Sequence, residues 1–330
     1  MSVLSETRPL AASGRRWPRD VIGLAAIALA GGAGYVLFPD SLAFLTRIIS
    51  IALLVLSLDL LIGYCGIATL GQSALYGAGA YAAGIAAVNG LTDPVALIAV
   101  GALAGGVAGL LMGAVLLRAH GLPQLVLSIA FVQLFHEMAN KAASITGGSD
   151  GLYGIAPGPL FGLFAFDLYG KTAFFAGLGL LLLVFAALSF VVRSPFGMTC
   201  RGIKEDPLRI RAMGIGVRPT LIKMFALSGA VAGMGGALGA IATQVVGLDS
   251  VSFELSANAL VMLVLGGFGS LYGALIGTVI FLGVEHEVSA INPFHWMTLV
   301  GVMLIAVVLF APRGLYGVMT DAVARWRGRP

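Results

Sequence analysis

The sequence predicts an all-α polytopic integral membrane protein with about nine to ten transmembrane helices and interrupted or re-entrant segments. Three observations predict it. The 330 residues are 59% hydrophobic and only 10% charged, with a mean hydropathy of +1.00, where an ordinary soluble domain is roughly one quarter charged. Apolar runs of about 18 residues or more, the length that crosses a bilayer as a helix, recur along the whole chain. Lysine and arginine are concentrated in a few segments between those runs.

Nine apolar runs qualify: Val21–Phe38, Ser41–Ile62, Thr69–Val88, Pro94–Leu117, Leu122–Ala139, Thr172–Val192, Leu221–Val246, Ala257–Val284 and Phe294–Phe310. Backbone inside lipid must satisfy its own hydrogen bonds, and runs this long do so as helices. The first 20 residues carry Arg8, Arg15, Arg16 and Arg19 and resemble the basic region of a signal peptide. No clear small-residue cleavage site follows, so Val21–Phe38 reads as a retained helix. The expected organisation is a tail over 1–20, one transmembrane domain over 21–318 and a second tail over 319–330.

Charge orients the chain. Between residues 193 and 223 stand seven cations (Arg193, Arg201, Lys204, Arg209, Arg211, Arg218 and Lys223) against Glu205 and Asp206. By the positive-inside rule this segment and both tails are cytoplasmic. Asp40, Asp93, Asp150, Asp167, Asp249 and Glu254 then fall on the opposite face. The net charge of +4 reflects topology and gives no reason to expect nucleic acid as a partner. Cys65 and Cys200 form neither a disulfide framework nor a metal spacing.

Parity exposes an irregular element. Nine simple spans starting inside would leave Arg313, Arg325, Arg327 and Arg329 outside, so one run must be two passes or a re-entrant hairpin. Ala257–Val284 is the best placed, because Gly266-Gly267-Phe268-Gly269-Ser270 interrupts it. A second break, Gly63-Tyr64-Cys65-Gly66, precedes Gln72 and Ser73. Broken helices in both halves of a chain point to a transporter. Elsewhere Gly101, Gly105, Gly109 and Gly113 share one helix face, as do Gly269, Gly273 and Gly277, and Gly229 with Gly233. Such faces let backbones approach closely, either within the chain or against a partner subunit.

Soluble-enzyme chemistry is absent from the pattern, and neither a catalytic residue nor a metal site is expected. Gly170-Lys171-Thr172 imitates the end of a nucleotide-binding loop, but Ala165 occupies its first glycine position. His136-Glu137 and His286-Glu287 resemble the start of a zinc-protease motif, yet Asn140 and Ala290 stand where the second histidine belongs. Polar residues within spans are functional candidates by default. Asp59, Gln72, Ser73, Glu285 and Glu287 belong to this set, with Gln133, Glu137 and Asn140, which share one helix face. That face suits a polar path lining or helix-packing glue.

Two polar segments remain. Thr146-Gly147-Gly148-Ser149-Asp150-Gly151-Leu152 is a glycine-rich loop on the face opposite the cations. Met198–Met213 reads as one short amphipathic helix, with Ile203, Leu208, Ile210 and Met213 among Arg201, Lys204, Glu205, Asp206, Arg209 and Arg211. Gly214 stops it. Such a helix serves a cytosolic partner or lies on lipid headgroups.

These residues together resemble the permease subunits of the branched-chain amino acid ABC transporter family, specifically the longer of its two permease types. Four blocks carry the resemblance. Leu58–Gly66 continues through Leu70–Ala74 to Gly77–Tyr81, and Thr146–Leu152 stands alone. Ser194–Gly197 runs through Ile203–Asp206 to Gly214-Ile215 and Lys223. Phe253–Ser256 leads to Val264–Gly273, with Pro312–Leu315 closing. The likeness covers roughly residues 42–318. Asp59 departs from the family's more usual asparagine and Ser73 from its alanine.

The resemblance implies a membrane-spanning subunit of an ATP-driven importer in the bacterial inner membrane, itself without enzymatic activity. A second paralogous permease, usually in a heterodimer, would complete the path, and a periplasmic binding protein would deliver branched-chain or related hydrophobic amino acids. Two cytosolic ATPases carrying ATP and Mg would dock on the Glu205-Asp206 to Gly214 segment. Relatives of this family also carry urea, short amides and aromatic acids. Outside the resemblance, an ion-coupled secondary transporter using Asp59 or Glu137 and a channel lined by Gly266–Ser270 remain open.

Overall fold

The computed structural model describes residues 17–37, 41–159, 170–291, 301, 302, 305 and 314–317. Most of the expected span Phe294–Phe310, Asp40, Asp167, Ala165 and the bulk of both tails lie outside the described residues. Among the described residues there is no strand, only an isolated antiparallel bridge between Leu152 and Val246. The helices are α1 (Trp17–Leu37), α2 (Leu42–Asp59), α3 (Gln72–Val88), α4 (Pro94–Leu116), α5 (Leu122–Lys141), α6 (Ala143–Thr146), α7 (Lys171–Arg193), α8 (Pro195–Glu205), α9 (Pro207–Ala212), α10 (Val217–Thr243), α11 (Phe253–Gly266) and α12 (Leu271–Ile291). A π-helical turn over Leu60–Tyr64 extends α2.

Six described helices are long and apolar enough to cross a membrane: Leu42–Tyr64, Pro94–Leu116, Leu122–Lys141, Lys171–Arg193, Val217–Thr243 and Leu271–Ser289. The run Ala257–Val284 resolves into two helices, α11 and α12, parted at Gly267–Ser270. Gly267 and Gly269 take positive φ of 107° and 74°, a region that costs a glycine nothing. Gly266, Gly273 and Gly277 then let the two helices pack backbone to backbone.

Helix α2 is the centre of the bundle. Leu53, Leu54, Val55, Leu56 and Leu58 are all fully buried, as expected of a helix apolar on every side. It packs against α3, α7, α10, α11 and α12. The glycine face of α4 packs inside the chain: Gly101, Gly105 and Gly109 lie against Gly229, Gly233 and Phe225 of α10. Small residues here bring two helix axes close, and the opposite face of α4 exposes Leu103, Val107, Leu110 and Leu111, as lipid contact requires.

The expected single helix Met198–Met213 is two helices. Proline lacks an N–H and pushes the preceding residue out of helical geometry, so Pro207 ends α8 at Glu205 and leaves Asp206 extended. Asp206 caps the second helix, its Oδ1 accepting from the N–H groups of Leu208 at 3.0 Å and Arg209 at 3.1 Å. Gly214, at φ 83°, follows the end of α9.

Candidate functional site

The two helix breaks, distant in sequence, meet in space. The π turn after Asp59 widens α2 and brings Gly63 against the α11–α12 corner. A Cβ on Gly63 would fall 2.5 Å from the nitrogen of Gly269, so glycine is required for this approach. Asp59 is wholly buried, and its Oδ1 accepts from the Gly269 N–H at 2.7 Å. Its Oδ2 has no hydrogen-bond partner among the described residues. The acid ties the first break to the second.

Helix α8 joins the same junction. Lys204 donates from Nζ to the Gly63 carbonyl at 2.7 Å, taking a carbonyl at the end of α2. Arg201 places its guanidinium 4.8 Å from the centre of the Tyr64 ring, within cation–π range. Both cations therefore stand beside Asp59. Cys200 and Cys65 touch through their thiols; that contact and burial push the Cys65 thiol up. Gly314 lies directly on Gly267. On the outer side α8 and α9 expose Met198, Leu208 and Met213 among Arg209, Arg211 and Glu205, an apolar face rimmed by charge.

Gln72 and Ser73 lie in a second buried polar cluster, deeper in the bundle. Gln72 Nε2 donates to Ser57 Oγ at 2.6 Å and Ser228 Oγ at 2.8 Å. Each serine spends its own proton elsewhere, Ser57 on the Leu54 carbonyl and Ser228 on the Ser57 carbonyl. The amide must therefore present its nitrogen to both. Ser256 bridges to Ser73, accepting from its N–H at 2.9 Å and contacting its hydroxyl at 2.8 Å. These contacts clamp α2, α3, α10 and α11 together.

Gln133, Glu137 and Asn140 stand apart from both clusters, exposed on the outer surface of α5. Glu285 of α12 pairs with Arg47 of α2 at 3.2 Å, while Glu287 is exposed. Among the described residues, no group of histidine, cysteine and acids is arranged to hold a metal.

The Thr146–Leu152 loop lies at the end of the bundle opposite α8. Gly147, Gly148 and Gly151 have φ of 77°, 58° and 82°. Thr146 is buried and its hydroxyl donates to the Ala139 carbonyl at 2.6 Å. Ser149 and Asp150 are left exposed. Leu152 exchanges two backbone hydrogen bonds with Val246, at 2.9 and 3.1 Å, which fixes the loop to the end of α10.

Sequence reasoning missed two contributors. Arg47 is the one cation within Leu42–Tyr64, and a charge inside an apolar run is the signal that finds it. Arg218 caps α4 by donating from Nε and Nη2 to the Leu117 carbonyl at 3.3 and 3.1 Å; nothing in the sequence indicates this pairing.

Broken, apolar helices around buried polar clamps, with an amphipathic pair at one end, define a multi-pass membrane protein of the transport type. Comparison with known proteins narrows that class. The profile of the branched-chain amino acid transport system permease component matches residues 41–308. The high-affinity branched-chain amino acid transport system permease protein LivM of Escherichia coli strain K12 is 27% identical over 284 residues, and that of Salmonella typhimurium 28% over 286. Each alignment covers 79% of this chain and 66% of the relative, so the chain spans just under two thirds of their length. The permease protein BraD of Pseudomonas aeruginosa is 30% identical over 145 residues, 41% of this chain and 44% of its own. No solved structure matches. The chain belongs to the branched-chain amino acid transport permease family, of the longer permease type.

Proposed function

We propose that this chain is the membrane-spanning permease subunit of an ATP-driven importer in a bacterial inner membrane, with both termini cytoplasmic. Its cargo is a branched-chain or related hydrophobic amino acid brought by a periplasmic binding protein. The observation that carries the reading is the geometry of α8: an apolar and cationic outer face, joined on its inner side to both helix breaks through Lys204 and Asp59. A cytosolic ATPase seated on α8 and α9 would move the Gly63–Gly269 junction directly. ATP and Mg belong to those partner ATPases; this chain supplies the helix on which they act.

The outer face of α5 supports a second permease. Gln133, Glu137 and Asn140 are exposed on the surface of a single protomer, at a helix otherwise presenting Leu122, Val126, Leu134 and Met138 outward. Two amides and an acid facing lipid are costly, and a paralogous subunit covering this face would enclose a polar path. Asp59, buried and accepting from the Gly269 N–H, favours a structural tie over ion coupling.

The test is recovery of the ATPases and second permease encoded with this chain from detergent-solubilised membranes, comparing wild type with Glu205→Ala/Gly214→Trp. Loss of the ATPases with the permease pair intact supports docking on α8 and α9. Unchanged recovery places docking elsewhere, and no ATPase with wild type refutes the importer reading.

A further inference from the structure

A cavity of about 840 Å³ opens beside the Leu152–Val246 bridge, between the first half of α2, Tyr76 of α3, the start of α7, the end of α10 and the turn after it. From Ala43 to Ile51 it follows α2 through eight residue rises, so it reaches about 12 Å into the bundle. It is separate from the α5 face and from the junction at Asp59. Its polar lining is of two kinds. Arg47 and Asp249 bring opposite charges. Ser50 and Tyr76 bring hydroxyls whose protons are spoken for: Ser50 Oγ donates to the Gly235 carbonyl at 2.8 Å, so the 2.7 Å contact between the two hydroxyls is Tyr76 donating to Ser50. Both oxygens are left to accept.

Gln244, at φ 57°, ends α10 in the left-handed conformation common at helix C-termini, and it lines this cavity. The rim, Val245–Gly247, is the segment that the glycine-rich loop holds through Leu152.

We propose that this cavity is a transit subsite for a small zwitterion, entered from the face that bears the Thr146–Leu152 loop. The proposal rests on the importer reading and assigns its cargo a place within this subunit. Arg47 takes the carboxylate, because a guanidinium already sharing one nitrogen with Glu285 keeps other N–H groups to offer. Asp249 and the acceptor oxygens of Ser50 and Tyr76 suit the ammonium. An apolar side chain rests against Ile51, Ala240 and Leu255. A cargo carboxylate on Arg47 competes with Glu285 of α12, so occupancy is sensed by the helix that follows the second break.

The test uses the full complex, with both permeases, the ATPases and the binding protein, in proteoliposomes supplied with radiolabelled L-leucine. Arg47→Ala lowers uptake about tenfold, the worth of one charge-assisted contact, and Arg47→Lys restores part of it. Glu285→Gln stays within about twofold, as for an isolated, partly exposed pair. Equal losses for Arg47→Ala and Glu285→Gln would mean that only the ion pair matters and would overturn the proposal. A second readout asks for occupancy directly: Ser250→Cys is modified by a methanethiosulfonate reagent, and excess L-leucine delivered by the binding protein slows that modification. Wild-type uptake without such protection overturns the subsite and leaves the importer standing. Absence of wild-type uptake removes both.

Discussion

Gly105 and Gly106 are neighbours on α4, and the structure assigns them opposite responses to alanine. A Cβ on Gly105 would overlap the carbonyl oxygen of Gly229 and stand 2.8 Å from the Gly233 Cα and 3.0 Å from its nitrogen. Carbon atoms rest about 3.5–4.0 Å apart, so α4 and α10 must separate by roughly 1 Å along their most intimate contact. Inserting a methyl group into a packed interior costs about 1–3 kcal/mol. A Cβ on Gly106 meets its nearest atoms at 3.5, 3.6 and 3.9 Å, an ordinary contact, and alanine there gains up to about 1 kcal/mol of helix propensity. Both substitutions share that propensity gain, so their difference isolates the packing at about 1–3 kcal/mol. At about 2–4 °C per kcal/mol for large domains, Gly105→Ala melts several degrees below Gly106→Ala. Thermal denaturation in detergent, followed by the monodisperse fraction on size exclusion, reads this. Equal melting, or a more stable Gly105→Ala, would refute close α4–α10 packing through this face.

Three further outcomes follow from named contacts. Asp59→Ala leaves the Gly269 N–H buried without its acceptor and costs about 1–3 kcal/mol, whereas Asp59→Asn keeps an acceptor oxygen and melts nearer to wild type; equal losses would deny the cap its role. Lys204→Met retains the aliphatic stem against Gly66 but loses the bond to the Gly63 carbonyl. In the assembled importer it leaves ATP hydrolysis in place while uptake per ATP falls, and preserved coupling would remove Lys204 from the linkage. Arg218→Lys replaces a two-nitrogen cap on the Leu117 carbonyl with a point charge; with Arg218→Ala the cost reaches about 1 kcal/mol, and amide exchange rises at the end of α4. Unchanged exchange in both variants would contradict the cap.

The helices were legible because bilayer thickness leaves little choice of element: each of the eight runs before Phe294–Phe310 contains a helix, or two at Ala257–Val284. Only six described helices, though, are long and apolar enough to cross a membrane. The Asp206-Pro207 boundary was missed: the amphipathic pattern across Met198–Met213 runs through it without interruption and masked the signal that proline carries. Tertiary partnership was not legible. Asp59 and Gly269 are 210 residues apart, and nothing in either segment names the other. Gln133, Glu137 and Asn140 share a helix face by spacing alone, but only the packing of α5 shows that this face points outward. The glycines of α4 were compatible with an internal or an external partner until Gly229 and Gly233 were found opposite them.

Two ties between α2 and α12 relate the α8 end of the bundle to the cavity end. Asp59 holds the Gly269 N–H just before α12 begins, and Arg47 pairs with Glu285 fourteen residues after that helix starts. Along α2 the two tie points are twelve residues, about 18 Å, apart; along α12, from Leu271 to Glu285, they are about 21 Å apart. Two antiparallel helices pinned near both ends resist sliding past each other, the buried Asp59 pin more than the partly exposed Arg47–Glu285 pair. Lys204 grips α2 at Gly63, beside the first pin. If a partner displaces α8 as proposed, the motion enters α2 at Gly63, and α2 is the element that continues to Arg47 and the cavity. Replacing both pins should uncouple the two ends more than the sum of the single changes, since either pin alone still prevents free sliding.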